Sequence, residues 1–405
     1  MNNPEQSHKL WTKAFICLTI CSFLLFLNLQ MLLSSFPAYV KGKFLAGDLT
    51  VSLVTSVFAL SAIATRFLTA ALIRKFQRKV ILLIGLAVAT IITAVYVWAD
   101  SIGSLLVMRV GYGIGFGMSS TIIPTLVSQI IPGKRMGEGI GYFGLSTSLA
   151  MSMGPMIGLN VMRHYGFGTL SMIGTATALL IFPILILSRS IPQDSKQGQT
   201  AGSQNSNKQP FNTKLLFPAL LNVLLSVTYS GLLSFIALFG EAVHLEQVGL
   251  FFLFNAFTII LIRPISGKLF DKKGHAAVLI PAAICVLASL TLLSFTTALP
   301  MLILSALLYG LGFGSIQPTL QAWMLRLSPK EQHGMANSMF YNSTDLGVAI
   351  GALLLGAISS VTGYAMMYRY SAGFMLLFLV IYAWVQLVRV QHGKKYVKIG
   401  NLTNM

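Results

Sequence analysis

The chain has 405 residues, of which 55% are hydrophobic and only 9% charged, with a formal net charge of +18. A soluble domain carries charge on about a quarter of its residues, so this composition excludes a water-facing fold and points to lipid as the solvent for its apolar faces. The basic excess then belongs either to a nucleic-acid-binding face or to the topology of a membrane protein, and its distribution decides between them.

In chain order, the polar stretch 1–13 precedes an uncharged run from Ala14 to Val40. That run is long enough to span a bilayer and has no clean small-x-small site at its end, so it reads as a retained helix and not as a signal peptide. Apolar runs of about 20 residues predict helices at 14–36, 50–73, 80–99, 102–124, 139–161 and 167–188. A second set follows at 215–239, 247–266, 276–296, 300–322, 335–358 and 366–388. Two dividers are thin, Ser101–Gly103 and the vicinity of Pro300. Between the two sets, Arg189–Lys214 is rich in Gln, Ser, Asn and Gly and reads as a flexible linker. Residues 389–405 form a polar tail. The expected fold is an all-α integral membrane protein, with an N-terminal six-helix half over 14–188 and a C-terminal half over 215–388.

With the N-terminus placed inside, 21 of the Lys and Arg residues fall on the inner side and 4 on the outer. That bias is the positive-inside signature, so the charge is a topology device with both termini cytoplasmic, and no nucleic-acid partner is expected. The halves also repeat. Tyr112-Gly-Ile-Gly-Phe-Gly117 recurs as Tyr309-Gly-Leu-Gly-Phe-Gly314, 197 residues later, and Arg66 recurs as Arg263. Two parallel halves follow, with a binding site expected at their shared midplane.

Several polar residues interrupt these spans. Arg109 lies deep in the fourth helix, so it faces protein or water, either as a functional charge or bonded to backbone carbonyls. Gly113 and Gly117, at helical spacing from it, permit a close neighbour. In the fifth helix Gly154-Pro155-Met-Ile-Gly158 combines a bend with small packing residues. After the eighth helix comes Arg263-Pro-Ile-Ser-Gly267-Lys-Leu-Phe-Asp271-Lys-Lys-Gly274, where Gly267 would allow close approach and Asp271 would pair with nearby basic groups. The eleventh helix sets Asn337, Tyr341 and Asp345 at i, i+4 and i+8 on one face, flanked by Asn342 and Thr344. Asp345 is expected near mid-membrane, where an ionisable residue is a transport-site hypothesis by default. The alternative is a buried Arg–Asp pair holding the halves together, with Arg109 the expected cation.

The pattern over Gly267–Gly274, the Arg109-x-x-x-Gly113-x-Gly115 run and the Gly154-Pro155 segment resemble motifs of the major facilitator superfamily. The resemblance implies that the loop at Arg263, Gly267, Asp271 and Gly274 acts as a conformational switch. The first-half copy departs from the motif, with Ala70 and Arg74 in place of Gly and Asp, so the switch role is carried to Asp271 alone. The Arg109 motif is associated there with proton-coupled members and the Gly154-Pro155-x-x-Gly158 motif with exporters, although Leu159 stands where a second Gly belongs. In that family the first, fourth, seventh and tenth helices line the cavity, which makes Asn28, Gln30, Tyr112, Tyr229 and Gln317 cavity candidates. Asn255, Tyr341 and Asn342 join them as polar interruptions of their spans.

No G-x-x-x-x-G-K-[ST] loop and no nucleophile elbow or His/Cys/Asp cluster occurs, so neither an ATP-driven pump nor an enzyme is expected, and no cofactor. Cys17, Cys21 and Cys285 all lie inside apolar runs, which predicts neither disulfides nor a metal site. The expected function is proton-coupled efflux of a small molecule across a cell membrane by a monomer. The alternatives are a proton-coupled uptake symporter for a sugar or organic ion, and a non-transporting sensor or scaffold.

Overall fold

The computed structural model describes residues 10–73, 76–132, 136–187, 212–329 and 332–402. Most of the expected central linker, together with Arg74, lies outside the described residues. Among the described residues the chain is helical throughout, with no strand. The helices are α1 Lys13–Phe44, α2 Asp48–Leu72, α3 Arg78–Val95, α4 Ile102–Ile130, α5 Met136–Leu179 and α6 Ile181–Leu187. They continue as α7 Leu216–Ala242, α8 Leu250–Lys273, α9 Ala276–Ser294, α10 Leu299–Arg326, α11 His333–Thr362 and α12 Tyr364–Leu402. Ten described helical segments are long and apolar enough to cross a membrane, and α8, bent by 42° near Pro264, makes an eleventh.

The dividers that look thin in the sequence are helix caps. Ser101 caps α4 through its side chain, which accepts from the Ser104 N–H while the Ser104 hydroxyl accepts from the Ser101 N–H, a reciprocal capping box. Ala298 ends an extended step, and Pro300 sits in the first turn of α10, where its missing N–H is not needed. Gly166, at φ 78° and ψ 173°, interrupts α5 between the predicted helices 139–161 and 167–188. Gly363, 197 residues later, adopts φ 79° and ψ 168° between α11 and α12. The repeat thus extends to the left-handed joints that only glycine takes without strain. One expectation shifts: α12 continues to Leu402, through most of the stretch read as a polar tail.

The repeated glycine runs explain why the halves share a sequence motif. A Cβ on Gly113 would lie 2.7 Å from Ser61 Cβ, and one on Gly117 would lie 2.9 Å from the Ala62 carbonyl, so both glycines hold α4 against α2. Gly115, between them in sequence, faces α3 at Ala89. In the second half Gly310 and Gly314 meet α8 at Asn255 and Ile259, while Gly312 meets α9 at Val286. Lipid offers no hydrophobic drive for helix association, so close backbone approach at small residues supplies the packing.

The Gly154–Gly158 segment does the same against α1. An added Cβ on Gly158 would fall onto the Met31 backbone, and one on Gly154 onto Gln30. Gly158→Leu is therefore expected to cost about 1–3 kcal/mol by overpacking, read as a lower thermal midpoint of the purified protein. Gly144→Leu, where an added Cβ has open space, serves as the matched control and should leave the midpoint nearly unchanged.

Candidate functional site

Side chains from both halves meet at three levels. At the end formed by the α1–α2 and α11–α12 joints, Asp48 gathers a polar clasp. Lys41 Nζ reaches its Oδ1 at 2.9 Å, the Ser359 hydroxyl donates to Oδ2 at 3.0 Å and the Tyr364 hydroxyl donates to Oδ1 at 3.2 Å. Lys41 also contacts the Tyr364 hydroxyl. At the same end Arg163 pairs with Glu246 at 2.9 Å, joining α5 to the connection before α8.

At the middle level the Tyr229 hydroxyl on α7 donates to the Met151 carbonyl at 3.0 Å and reaches Gln30 Oε1 at 3.3 Å. The Tyr229 ring stacks on Phe313 of α10, with centroids 4.9 Å apart. Gln317 Nε2 faces Met151 Sδ at 3.8 Å. Gln30 and Tyr229 thus meet across the halves, and Gln317 reaches the same Met151.

Asn28 and Tyr112 belong elsewhere. The Tyr112 hydroxyl donates to Asn28 Oδ1 at 2.6 Å, and Asn28 Nδ2 donates to the Gly174 carbonyl at 2.6 Å. Both are buried and spent within the first half, tying α1 to α4 and to the helix after Gly166. Asn255 packs where α8 meets Gly310, and its Oδ1 has no hydrogen-bond partner among the described residues.

The third level holds the charges. Arg66 on α2 forms an ion pair with Asp345 on α11. Arg66 Nη1 also reaches Asn342 Oδ1 at 3.3 Å, and its Nη2 reaches the Ser120 hydroxyl of α4 at 3.4 Å. The Arg66 side chain is 6% exposed and that of Asp345 17%. Asp345 lies about 18 Å along α11 from His333, at 1.5 Å per residue. The Tyr341 hydroxyl sits within electrostatic reach of Arg66, Arg263 and Asp345. Asn222 of α7 fastens this stretch of α11 by donating to the Phe340 carbonyl, Ser343 and Thr344 at 2.8–3.0 Å.

The cation that faces Asp345 is therefore Arg66 and not Arg109, which corrects the expected pairing. Arg109 is wholly buried within the first half. Its Nε donates to the Val54 carbonyl at 2.9 Å, and its guanidinium lies 4.7, 4.6 and 5.8 Å from the ring centres of Phe36, Phe58 and Tyr112. A carbonyl and aromatic quadrupoles, not a carboxylate, accommodate that charge.

On α8, Arg263 donates across the halves to the Ser148 hydroxyl of α5. Asp271 pairs with Arg326 at the end of α10, and Arg326 lies 4.1 Å from the Phe270 ring centre. Gly274 ends α8 at φ 79°. Gly267 does not bring a neighbouring helix close: it is exposed, and an added Cβ there would meet nothing within 4 Å.

Sequence reasoning missed Arg66 and Ser148 as site residues. Ser148 and Asp345 are 197 residues apart, as are Arg66 and Arg263. The two cross-half contacts are thus copies of one contact related by the repeat, and that displacement was the available signal. No group of His, Cys, Asp or Glu able to hold a metal occurs among the described residues.

A profile of the Major Facilitator Superfamily matches residues 18–330 and, in a second alignment, 220–399. Quinolone resistance protein NorA of Staphylococcus aureus is 24% identical over 350 residues, covering 84% of this chain and 88% of that one. The staphylopine export protein of Staphylococcus aureus is 20% identical over 338 residues, covering 80% and 84%. Among solved structures, a POT family transporter in complex with 5-aminolevulinic acid superposes with a TM-score of 0.73 at 14% identity, covering 94% of this chain and 98% of that one.

Proposed function

The chain belongs to the Major Facilitator Superfamily, and from that premise we propose that it is a proton-coupled exporter of small molecules working by alternating access. Twelve crossings follow when the 44-residue α5 is divided at Gly166, because its length is roughly twice what one crossing needs. Both termini then lie on the cytoplasmic side, a reading that the positive-inside bias supports. The halves are 14–188 and 215–388, joined by the linker 189–214.

The observation that carries this reading is the Arg66–Asp345 ion pair between helices of opposite halves. Breaking a buried pair by removing one partner is costly, so the charged pair holds α2 to α11. A proton delivered to Asp345 neutralises the carboxylate and removes its attraction for Arg66. Arg66 then retains Asn342 and Ser120 as neutral partners, and α11 is free to move away from α2. Substrate occupying the Gln30–Tyr229–Gln317 level interrupts the remaining contacts between halves. Asp271, paired with Arg326 at the α8 and α10 ends, is the second-half switch. Export is supported by the similarity to a quinolone resistance protein and a staphylopine export protein, and by the Gly154–Gly158 packing of α5 on α1.

Direction is tested with compounds whose secretion differs between a deletion strain and its parent. In everted vesicles made acidic inside, the chain should drive those compounds inward, the equivalent of export. Accumulation that instead requires right-side-out vesicles under an inward proton gradient would establish uptake and overturn the export reading.

A further inference from the structure

The two copies of the cross-half contact are unequal in charge. Arg66 has a carboxylate across the interface, whereas its copy Arg263 has a serine: Ser148 stands where the repeat places Asp345. Among the described residues no carboxylate reaches Arg263, and its Nε is buried with no hydrogen-bond partner. Arg109, another cation within the spans, has one buried nitrogen without a partner as well, but its guanidinium donates to the Val54 carbonyl, reaches the Tyr96 hydroxyl and lies against the Phe36, Phe58 and Tyr112 rings. Among the described residues no aromatic ring lies over the Arg263 guanidinium. It lies at the joint of α5 and α8, with the Tyr341 hydroxyl within electrostatic reach.

A guanidinium kept between helices without a counter-charge is expensive, and the expense is recovered when an anion occupies the site. Its planar fork fits a carboxylate or phosphate through two parallel hydrogen bonds. We infer that Arg263 is the substrate-binding cation of the cavity and that the transported molecule carries an acidic group, a carboxylate or phosphate, which takes the place that Asp345 fills for Arg66. This rests on the transporter reading above and adds the substrate's charge class. It also explains the asymmetry of the halves, since one copy of the contact keeps a protein carboxylate while the other leaves its position open to the ligand.

The test is a binding measurement on the full chain in phosphatidylcholine nanodiscs, which does not depend on transport or its direction. Thermal midpoints are compared across matched acids, amides and amines, beginning with benzoate, benzamide and benzylammonium and continuing with larger aryl and alkyl sets of the same design. Acids should raise the midpoint and their amides and amines should not. Arg263→Gln should weaken the acid's half-maximal effect by roughly tenfold or more, and Arg263→Lys should recover part of it. Ser148→Asp, which supplies the missing carboxylate from the protein, should raise the midpoint without ligand and abolish the response to acids. Equal effects from amides or amines, an undiminished response in Arg263→Gln, or no response to any acid would each overturn the assignment. An Arg263-dependent rise caused by phosphatidylglycerol in the bilayer alone would assign the anion to a lipid headgroup and overturn the substrate class. Binding of acids by a chain that fails the vesicle assay would fault the export reading and leave this one standing.

Discussion

Arg66→Ala is expected to cost about 3–5 kcal/mol of stability, because it leaves the Asp345 carboxylate between α2 and α11 without its counter-charge. Asp345→Asn should cost less. Its amide needs no counter-charge, and Arg66 keeps the Asn342 oxygen and the Ser120 hydroxyl. The double variant Arg66→Ala/Asp345→Asn should then be more stable than Arg66→Ala alone, the signature of a pair whose members depend on each other. Thermal unfolding of the purified protein and its three variants measures the cycle. Effects that add to within about 0.5 kcal/mol would show two independent sites and remove the pair from the account.

Arg109 should also have a large effect on stability, but none on coupling. Its guanidinium fills the space among Phe36, Phe58 and Tyr112 and holds the Val54 carbonyl. Arg109→Gln removes both, at a cost of about 2–5 kcal/mol, as for a large-to-small change in a packed interior. Arg109→Lys should rescue little, because an ammonium cannot lie flat between two rings while donating from a fixed Nε. Protein that survives either change should keep the wild-type pH profile of transport. A stable Arg109→Lys protein with a displaced profile would place Arg109 in the coupling machinery.

These two arginines also show how far the sequence carries the argument. Spans, dividers and repeat are local properties, legible because a bilayer imposes a length and a composition on each helix. Even the weak divider at Ser101 and the joint at Gly166 follow from capping and backbone preference. Which helices touch is not local. Arg109 looks like the natural partner of Asp345 when depth along the chain is the guide, whereas Arg66 looks like a boundary residue. The assignment reverses once α2 is seen to run beside α11 and α4 is seen to turn Arg109 toward the first half's own rings. Asn28 and Tyr112, expected at the cavity, are hydrogen-bonded to each other and to Gly174 within the first half, since a polar side chain in a span can be satisfied by another helix of its own half. Gly267 fails because a glycine permits close approach without producing it.

The repeat could have supplied the missing pairing. Placing residues 197 apart on top of each other aligns Arg66 with Arg263 and Ser148 with Asp345. A pair found in one half then has its counterpart in the other. That alignment needs a rule for which helices oppose each other across the halves, and the rule comes only from the packed bundle.

The central claim is that a proton on Asp345 controls the contact between the halves. It is tested most directly by following internal pH in proteoliposomes while an exported compound is added to wild type or to Asp345→Asn. Substrate addition should move protons in the wild type. In the variant it should move none, even where substrate exchange across the membrane continues. Proton movement of wild-type size in Asp345→Asn would contradict the account.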